Sequence, residues 1–181
     1  GNIYVKLDQF ENAVEAFEYS IAIDEEYSSA YINISEALIK LEKFDQAKKY
    51  LERSLSLDGP SPEIYSCLGN VNFYLEDYST SISFYQKSIK IDQMFKESYF
   101  GLGRSLSKLD KWFEAIHFFK KAYKIDNKNI EYVKSLAYAE FKVGNLVSSI
   151  DLYSKAVEMQ PDDYKLSLDF SLIYYESGDI D

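Results

Sequence analysis

Residues 96–129 read KESYFGLGRSLSKLDKWFEAIHFFKKAYKIDNKN, and this stretch decides the fold. Tyr99, Leu102, Leu106 and Leu109 recur at spacings of three and four, which places them on one face of a helix. Asp110-Lys111 interrupts the pattern. Ala115, Phe118, Phe119, Ala122 and Tyr123 then set out a second apolar face, and Ile125-Asp126-Asn127 closes the unit with polar turn residues. In both directions the pattern returns every 34 residues, without insertion or deletion. Ala13, Ala47, Ser81, Ala115 and Ser149 are small. Four positions on, Phe17, Leu51, Tyr85, Phe119 and Tyr153 are large, and three beyond these Ser20, Ser54, Ser88, Ala122 and Ala156 are small again. Leu7, Leu41, Leu75, Leu109 and Val143 keep the same spacing, as do Phe10, Phe44, Tyr78, Trp112 and Leu146. A strict period of this length is the signature of stacked repeats.

The totals agree with such a stack. A hydrophobic fraction of 46% with 17 Tyr and 12 Phe supplies large wedges, many with a polar end for the surface. The net charge of −10 argues against nucleic acid, because binding a phosphate backbone needs concentrated Lys and Arg. One cysteine excludes an internal disulfide framework and a cysteine-based zinc site. No apolar run approaches the ~20 residues that cross a bilayer, so no membrane partner is expected within this segment. The chain opens inside one repeat and closes inside another, as expected of a piece of something longer.

The period divides residues 1–181 into a single array: a partial repeat 1–27, full repeats 28–61, 62–95, 96–129 and 130–163, and a partial repeat 164–181. Two helices in each of the four full repeats, two in the partial repeat 1–27 and one in the partial repeat 164–181 give eleven in all, the first of them shortened, and no strand. Gly144 and Gly178 fall between paired helices, where a left-handed residue ends a helix cheaply. Pro62 suits a first helical position, and Pro161 lies between repeats. Gly69 and Gly103 in first helices face Ser81 and Ala115 in second helices, so the paired backbones approach closely. Each pair is too thin to bury its own apolar face, and stacking supplies the missing surface.

The pattern resembles the tetratricopeptide repeat (TPR), W-x2-L-G-x2-Y followed by A-x3-F and by Ala and Pro. The fourth unit has Tyr99-Phe100-Gly101-Leu102-Gly103, then Ala115, Phe119 and Ala122. The third has Tyr65, Leu68-Gly69, then Ser81, Tyr85 and Ser88. Asn72 and Glu140 depart from the usual aromatic, and only Pro161 matches the closing proline. The resemblance implies an all-α, right-handed superhelical solenoid of stacked helix-turn-helix pairs, its concave face lined by the first helix of each pair.

Helical geometry locates that face independently. At 100° per residue, positions 2, 6, 9 and 13 of each unit form one stripe, opposite positions 4, 7, 11 and 14, which are expected to be buried. The stripe reads Ser29, Asn33, Glu36, Lys40; Glu63, Cys67, Asn70, Tyr74; Glu97, Gly101, Arg104, Lys108; and Glu131, Ser135, Tyr138, Lys142. Ile32, Ile39, Phe73, Phe100 and Phe141 lie beside it. Apolar and aromatic residues mixed with Asn and Arg suit a peptide groove. The candidate groove residues are therefore Asn33, Glu36, Lys40, Asn70, Tyr74, Phe100, Arg104, Lys108, Tyr138 and Lys142. Lys6, Lys40, Lys108 and Lys142 form one column, and Glu63, Glu97 and Glu131 another. Such rims could orient an extended peptide. The helix dipole also favours Glu at the start and Lys at the end of a helix, whatever binds.

The resemblance also suggests two ligand modes, and neither fits. A carboxylate clamp would fall on Ile32, Glu36, Cys67, Glu97 and Gly101, or on Ser66, Asn70, Gly101, Glu131 and Ser135. An asparagine ladder would fall on Asn33, Cys67, Gly101, Ser135 and Asp169. His117, the single histidine, lies on a second helix, which excludes a histidine-based triad or a multi-histidine metal site within this chain. Cys67 reads as a small buried filler, and Glu25-Glu26 and Asp162-Asp163 as solvated turn residues. Lys87, Lys90, Lys120, Lys121 and Lys124 make a basic patch on second helices, by default a solvated face. The functional expectation is a non-catalytic scaffold that binds a peptide or protein segment, with no catalytic residue, cofactor or metal. Two alternatives stand beside it: a regulatory or substrate-recruiting array of a larger enzyme or signalling protein, and a self-assembly module. A homodimer through the shortened ends is expected from Ile3, Tyr4 and Leu7, and from Leu166, Phe170, Ile173, Tyr174 and Tyr175.

Overall fold

The structure is a computed structural model that describes residues 1–176 and 178. It consists of eleven helices, with no strand among the described residues. After the short α1 (Asn2–Lys6), two interleaved series follow, each advancing by one period. The second helices of the pairs are α2 (Phe10–Ile23), α4 (Phe44–Asp58), α6 (Tyr78–Ile91), α8 (Trp112–Ile125) and α10 (Leu146–Met159). The first helices are α3 (Ser28–Lys40), α5 (Pro62–Tyr74), α7 (Lys96–Lys108), α9 (Ile130–Lys142) and α11 (Tyr164–Glu176). Two compact units emerge, Gly1–Gly101 and Leu102–Asp181.

Every pair turns in the same way. Gly144 and Gly178 have φ of 81° and 78°, as their place in the sequence suggests. The same left-handed residue recurs at Asp8, Glu42, Glu76 and Asp110, with φ between 53° and 61°. The motif closes by hydrogen bonds from Lys43 N to Leu38 O, Asp77 N to Asn72 O and Asn145 N to Glu140 O, at 2.9–3.0 Å. This turn corrects one expectation. Position 14 lies at the helix cap rather than on the helix, so Leu75 and Leu109 are exposed. Positions 4, 7 and 11 hold the core: Tyr31, Ile34 and Leu38 in one pair, Tyr99, Leu102 and Leu106 in another, all buried.

In the second helices the small–large–small pattern is the packing face. Ala13, Ala47, Ser81, Ala115 and Ser149 have no exposed surface, and Phe17, Leu51, Tyr85, Phe119 and Tyr153 are buried between them and the next pair. Serine replaces alanine at these positions because the facing first helix offers a carbonyl. Ser81 Oγ donates to Gly69 O at 2.8 Å, Ser149 Oγ to Ala137 O at 2.9 Å and Ser88 Oγ to Pro62 O at 2.7 Å.

The glycines of the first helices make room for rings. A Cβ on Gly69 would lie 2.6 Å from the Tyr85 ring, and one on Gly101 only 2.2 Å from it. In the second unit a Cβ on Gly103 would lie 2.7 Å from Phe119. Tyr85 is thus held between α5 and α7 within the first unit, with its hydroxyl donating to Asn70 Oδ1 at 2.7 Å. That hydrogen bond gives a fully buried tyrosine a partner for its polar end.

Position 11 departs from the apolar rule twice, each time with local compensation. Asn72 Nδ2 donates to Leu68 O at 2.7 Å. Glu140, 1% exposed, meets Lys120 Nζ at 2.6 Å through Oε1, while Asn145 Nδ2 donates to Oε2 at 2.6 Å. Burial alone would raise the Glu140 carboxyl, but Lys120 and Asn145 outweigh it and hold the group below the ordinary carboxylate range. Lys120 therefore belongs to an inter-helix ion pair and not to a free basic patch. Lys87 is engaged as well, over the Phe84 ring at 4.9 Å.

Two outcomes follow for stability. Gly101→Ala should cost ~1–3 kcal/mol, because backbone and ring must both give way, whereas Glu76→Gly should stabilise by ~1 kcal/mol by relieving left-handed strain; urea titrations of the two variants check this. Lys120→Met should cost ~1–3 kcal/mol near neutral pH by leaving a buried carboxylate without its cation. In the parent protein the Glu140 contribution is present above the ordinary carboxylate range and lost as pH falls through its lowered folded value. The deficit of Lys120→Met should shrink over that acid range, as denaturation midpoints against pH will show.

Candidate functional site

Within each unit the exposed stripe is organised by layers. A large position-24 side chain forms the floor, position 9 of the same repeat is one wall, and position 6 of the next repeat is the other. In the first unit, one layer brings Cys67 Sγ within 3.7 Å of Glu36 Oε1. Glu36 is an exposed residue, yet its carboxylate is partly desolvated at this contact; burial raises the carboxyl, with Cys67 and Lys40 pulling back. The next layer pairs Asn70 with Gly101 over Tyr85. Cys67 is buried and Gly101 is covered by the Tyr85 ring, so the stripe drawn from sequence is closed at both position-6 residues. Ile39 and Phe73 are likewise core residues, because the adjacent helix covers them. Asn33 and Phe100 are half-buried, and Lys40 and Tyr74 are exposed. The Tyr74 ring stacks on Phe44 at 5.5 Å.

The second unit carries an open cleft of about 570 Å³. Two layers build it: Arg104 and Ser135 with Phe119, then Tyr138 and Asp169 with Tyr153. Three of the sequence candidates, Arg104, Lys108 and Tyr138, line it, and Lys142 stands at its edge with Nζ 5.5 Å from the Trp112 ring. Trp112 also meets Tyr138 edge-on at 5.7 Å and donates through Nε1 to Asp110 Oδ1 at 3.2 Å. Lys134 and Glu131, 3.2 Å apart, complete a polar rim. Burial first, and then the charge of Asp169, push the Tyr153 hydroxyl up to about 12.

A smaller cleft of about 220 Å³ adjoins this one, sharing Tyr138, Tyr153 and Asp169 and adding Phe141, Leu172 and Ile173. Trp112, Lys134, Tyr153 and Asp169 were not among the sequence candidates. The signal for Trp112 lay in the register: position 17 of one repeat meets position 13 of the next, as Phe44 meets Tyr74 and Trp112 meets Lys142. Glu63 and Glu131 do occupy first turns, and Lys40 and Lys142 last turns, as the helix dipole favours. His117 is exposed and packs edge-on against Phe118 at 5.0 Å. Among the described residues no helix is long and apolar enough to cross a membrane, and no three His, Cys, Asp or Glu side chains are grouped to hold a metal ion.

The tetratricopeptide repeat pattern matches residues 4–70, and again 62–93 and 96–129. No curated protein matches the chain. Among solved structures, TTC0263, a thermophilic TPR protein of Thermus thermophilus, superposes with a TM-score of 0.82 at 16% identity, covering 96% of this chain and 94% of that one. YrrB, described as a TPR protein with an unusual peptide-binding site, gives 0.65 at 20% identity, covering 93% of this chain and 86% of its own. MamA gives 0.70 at 21% identity, covering 91% and 96%. Repeat pattern, paired helices and structural likeness agree, and the chain belongs to the tetratricopeptide repeat family.

Proposed function

We propose that the chain is a non-catalytic scaffold, a single TPR array in register, that binds a peptide or protein segment along the face presented by its first helices. The fold is one of protein-interaction scaffolds in general. What supports the finer reading is the cleft of the second unit, where Trp112, Phe119 and Tyr138 offer aromatic surface and Arg104 and Lys108 stand on α7 beside it. Aromatic anchors among a few placed polar groups are what a recognition groove needs. The first unit has its own candidates on the same helix face, Asn70, Tyr74, Lys40 and Asn33. Asn70 presents an amide already oriented by Tyr85, which lowers the cost of ordering it on binding.

Self-association is a second reading, favoured by α11. Of the α11 residues expected to need a cover, Leu166 and Ile173 are buried and Phe170 half-buried, whereas Tyr174 and Tyr175 are 43% and 67% exposed; Leu168, outside that set, is 59% exposed. The opposing term is the charge of −10 per copy, which salt screens within ~8 Å at physiological strength.

Peptides selected from a random dodecapeptide display library on the whole chain provide the test of the groove. Tyr138→Ala combined with Arg104→Ala should weaken them by more than ~2 kcal/mol in calorimetry without changing helical circular dichroism. Binding that survives this change but is lost on reversing Lys121 and Lys124 to Glu places the partner on the second helices instead. For the second reading, the mass from light scattering should rise with added salt and return to that of one chain in the variant Leu168→Glu with Tyr175→Glu. A single-chain mass at high protein concentration and high salt removes that reading.

A further inference from the structure

The cleft of about 220 Å³ beside Asp169 has a one-sided chemistry. Its described lining is Tyr138, Phe141, Tyr153, Leu172, Ile173 and Asp169, so a single carboxylate stands among three aromatic rings and two aliphatic side chains. No Lys, Arg or His lines it, and Lys165, one turn before Asp169 on α11, is not part of its wall. Tyr138 and Phe141 have ring centroids 6.5 Å apart and stand at 38° to one another. Tyr138 remains 46% exposed and Leu172 54%, so the cleft opens to solvent. The elements that build it pack together: α9, α10 and α11 share the core of Val133, Ala137, Tyr153, Ala156, Leu166 and Ile173. Across the larger cleft, by contrast, the α7 side carries Arg104 and Lys108.

We propose that the cleft at Asp169 is a cation subsite that takes the lysine or arginine side chain of a segment lying in the groove. This rests on the groove reading above. The aliphatic stem of such a side chain lies along Leu172, Ile173 and Phe141, and its charged head meets the Asp169 carboxylate between the faces of Tyr138 and Tyr153. Ring faces attract a cation electrostatically, and partial desolvation strengthens that attraction. A neutral aliphatic chain of the same length gains the apolar contacts but leaves the carboxylate without a counter-charge. An acidic side chain is repelled. The volume suits one unbranched side chain and not a folded domain surface. With Arg104 and Lys108 at the α7 side, the groove has opposite polarity at its two walls within this unit. A bound segment is then oriented, its basic residue at α11 and its acidic residue toward α7.

Two arms of one experiment separate this proposal from the groove reading. In the first, the whole chain is titrated with Nα-acetyl-lysine methylamide, Nα-acetyl-arginine methylamide and Nα-acetyl-norleucine methylamide, with the Tyr138 and Tyr153 ring signals and the Ile173 methyls followed by NMR. The two cationic probes should give saturable shifts at these residues, roughly five- to tenfold tighter than norleucine, and Asp169→Asn should bring them down to the norleucine level. Equal binding of norleucine, or an Asp169→Asn variant that binds the cations unchanged, overturns the subsite. In the second arm, library-selected peptides should carry an enriched Lys or Arg whose replacement by norleucine erases the difference between the parent protein and Asp169→Asn. Peptides that depend on Tyr138 but show no basic position overturn the subsite and leave the groove standing. Peptides indifferent to Tyr138 overturn the groove, and the first arm alone then decides whether the cleft selects cations.

Discussion

The structure depends on rings pressed into gaps where a first helix lacks a side chain. Tyr85 sits where Cβ atoms on Gly69 and Gly101 would come within 2.6 and 2.2 Å of it, and Phe119 where one on Gly103 would come within 2.7 Å. Close packing at this density leaves no room for an added methyl group. The pairing of sizes follows the register: where position 8 carries Ser35, the opposing position 24 is Leu51, and where it carries Ala137 the opposing residue is Tyr153, all of them buried. In each case a small residue on the first helix faces a large one on the second. Across that contact Ser81, Ser88 and Ser149 reach carbonyls of the facing helix, which satisfies their buried hydroxyls.

The same rings connect the core to the exposed face of the first helices. A phenylalanine at position 24 ends inside the layer, whereas a tyrosine carries a hydroxyl outward. Tyr85 uses it to fix the Asn70 amide, and Tyr153 brings its own beside Asp169, whose charge disfavours the phenolate. A packing choice in the second helix thus determines which polar group the first helices display. The cleft of the second unit shows the result: its floor is made of the side chains that space the helices, and its walls are the exposed positions on either side. Preorganisation follows directly, since a groove residue anchored by a core residue loses little freedom on binding.

The repeat itself was legible because 3.6-residue helices and a fixed period reinforce one another over the whole chain. Helix starts at Ser28, Pro62, Lys96, Ile130 and Tyr164 were readable for that reason. What was not legible depended on the second helix lying beneath the stripe. An exposed angle on a helical wheel says nothing about a neighbouring ring, so Gly101 looked open until Tyr85 was placed against it, whereas Cys67 is the buried filler its chemistry suggests. Position 14 looked apolar and inward until the left-handed residue after it turned the chain away. Trp112 read as a packing residue because its column is apolar elsewhere, and Asp169 as a failed ladder asparagine. Both gain meaning only from contacts between adjacent repeats.

Glu140 shows why a stacked array can carry such differences at all. A carboxylate at an aromatic core position would unfold a domain whose core is shared throughout, because an unpaired buried charge costs several kcal/mol. In a stack each repeat touches only its neighbours, so compensation needs only nearby residues. Lys120 on the preceding second helix and Asn145 in the following turn are enough. Asn72 is settled within its own helix by Leu68 O. Locality of this kind leaves each layer free to hold its own groove chemistry: an acid against a thiol at Glu36 and Cys67, an amide at Asn70, a guanidinium at Arg104, an aromatic beside a carboxylate at Tyr138 and Asp169. On the groove reading proposed above, recognition within each unit would be written layer by layer, and the layers are set out by the same period that builds the fold.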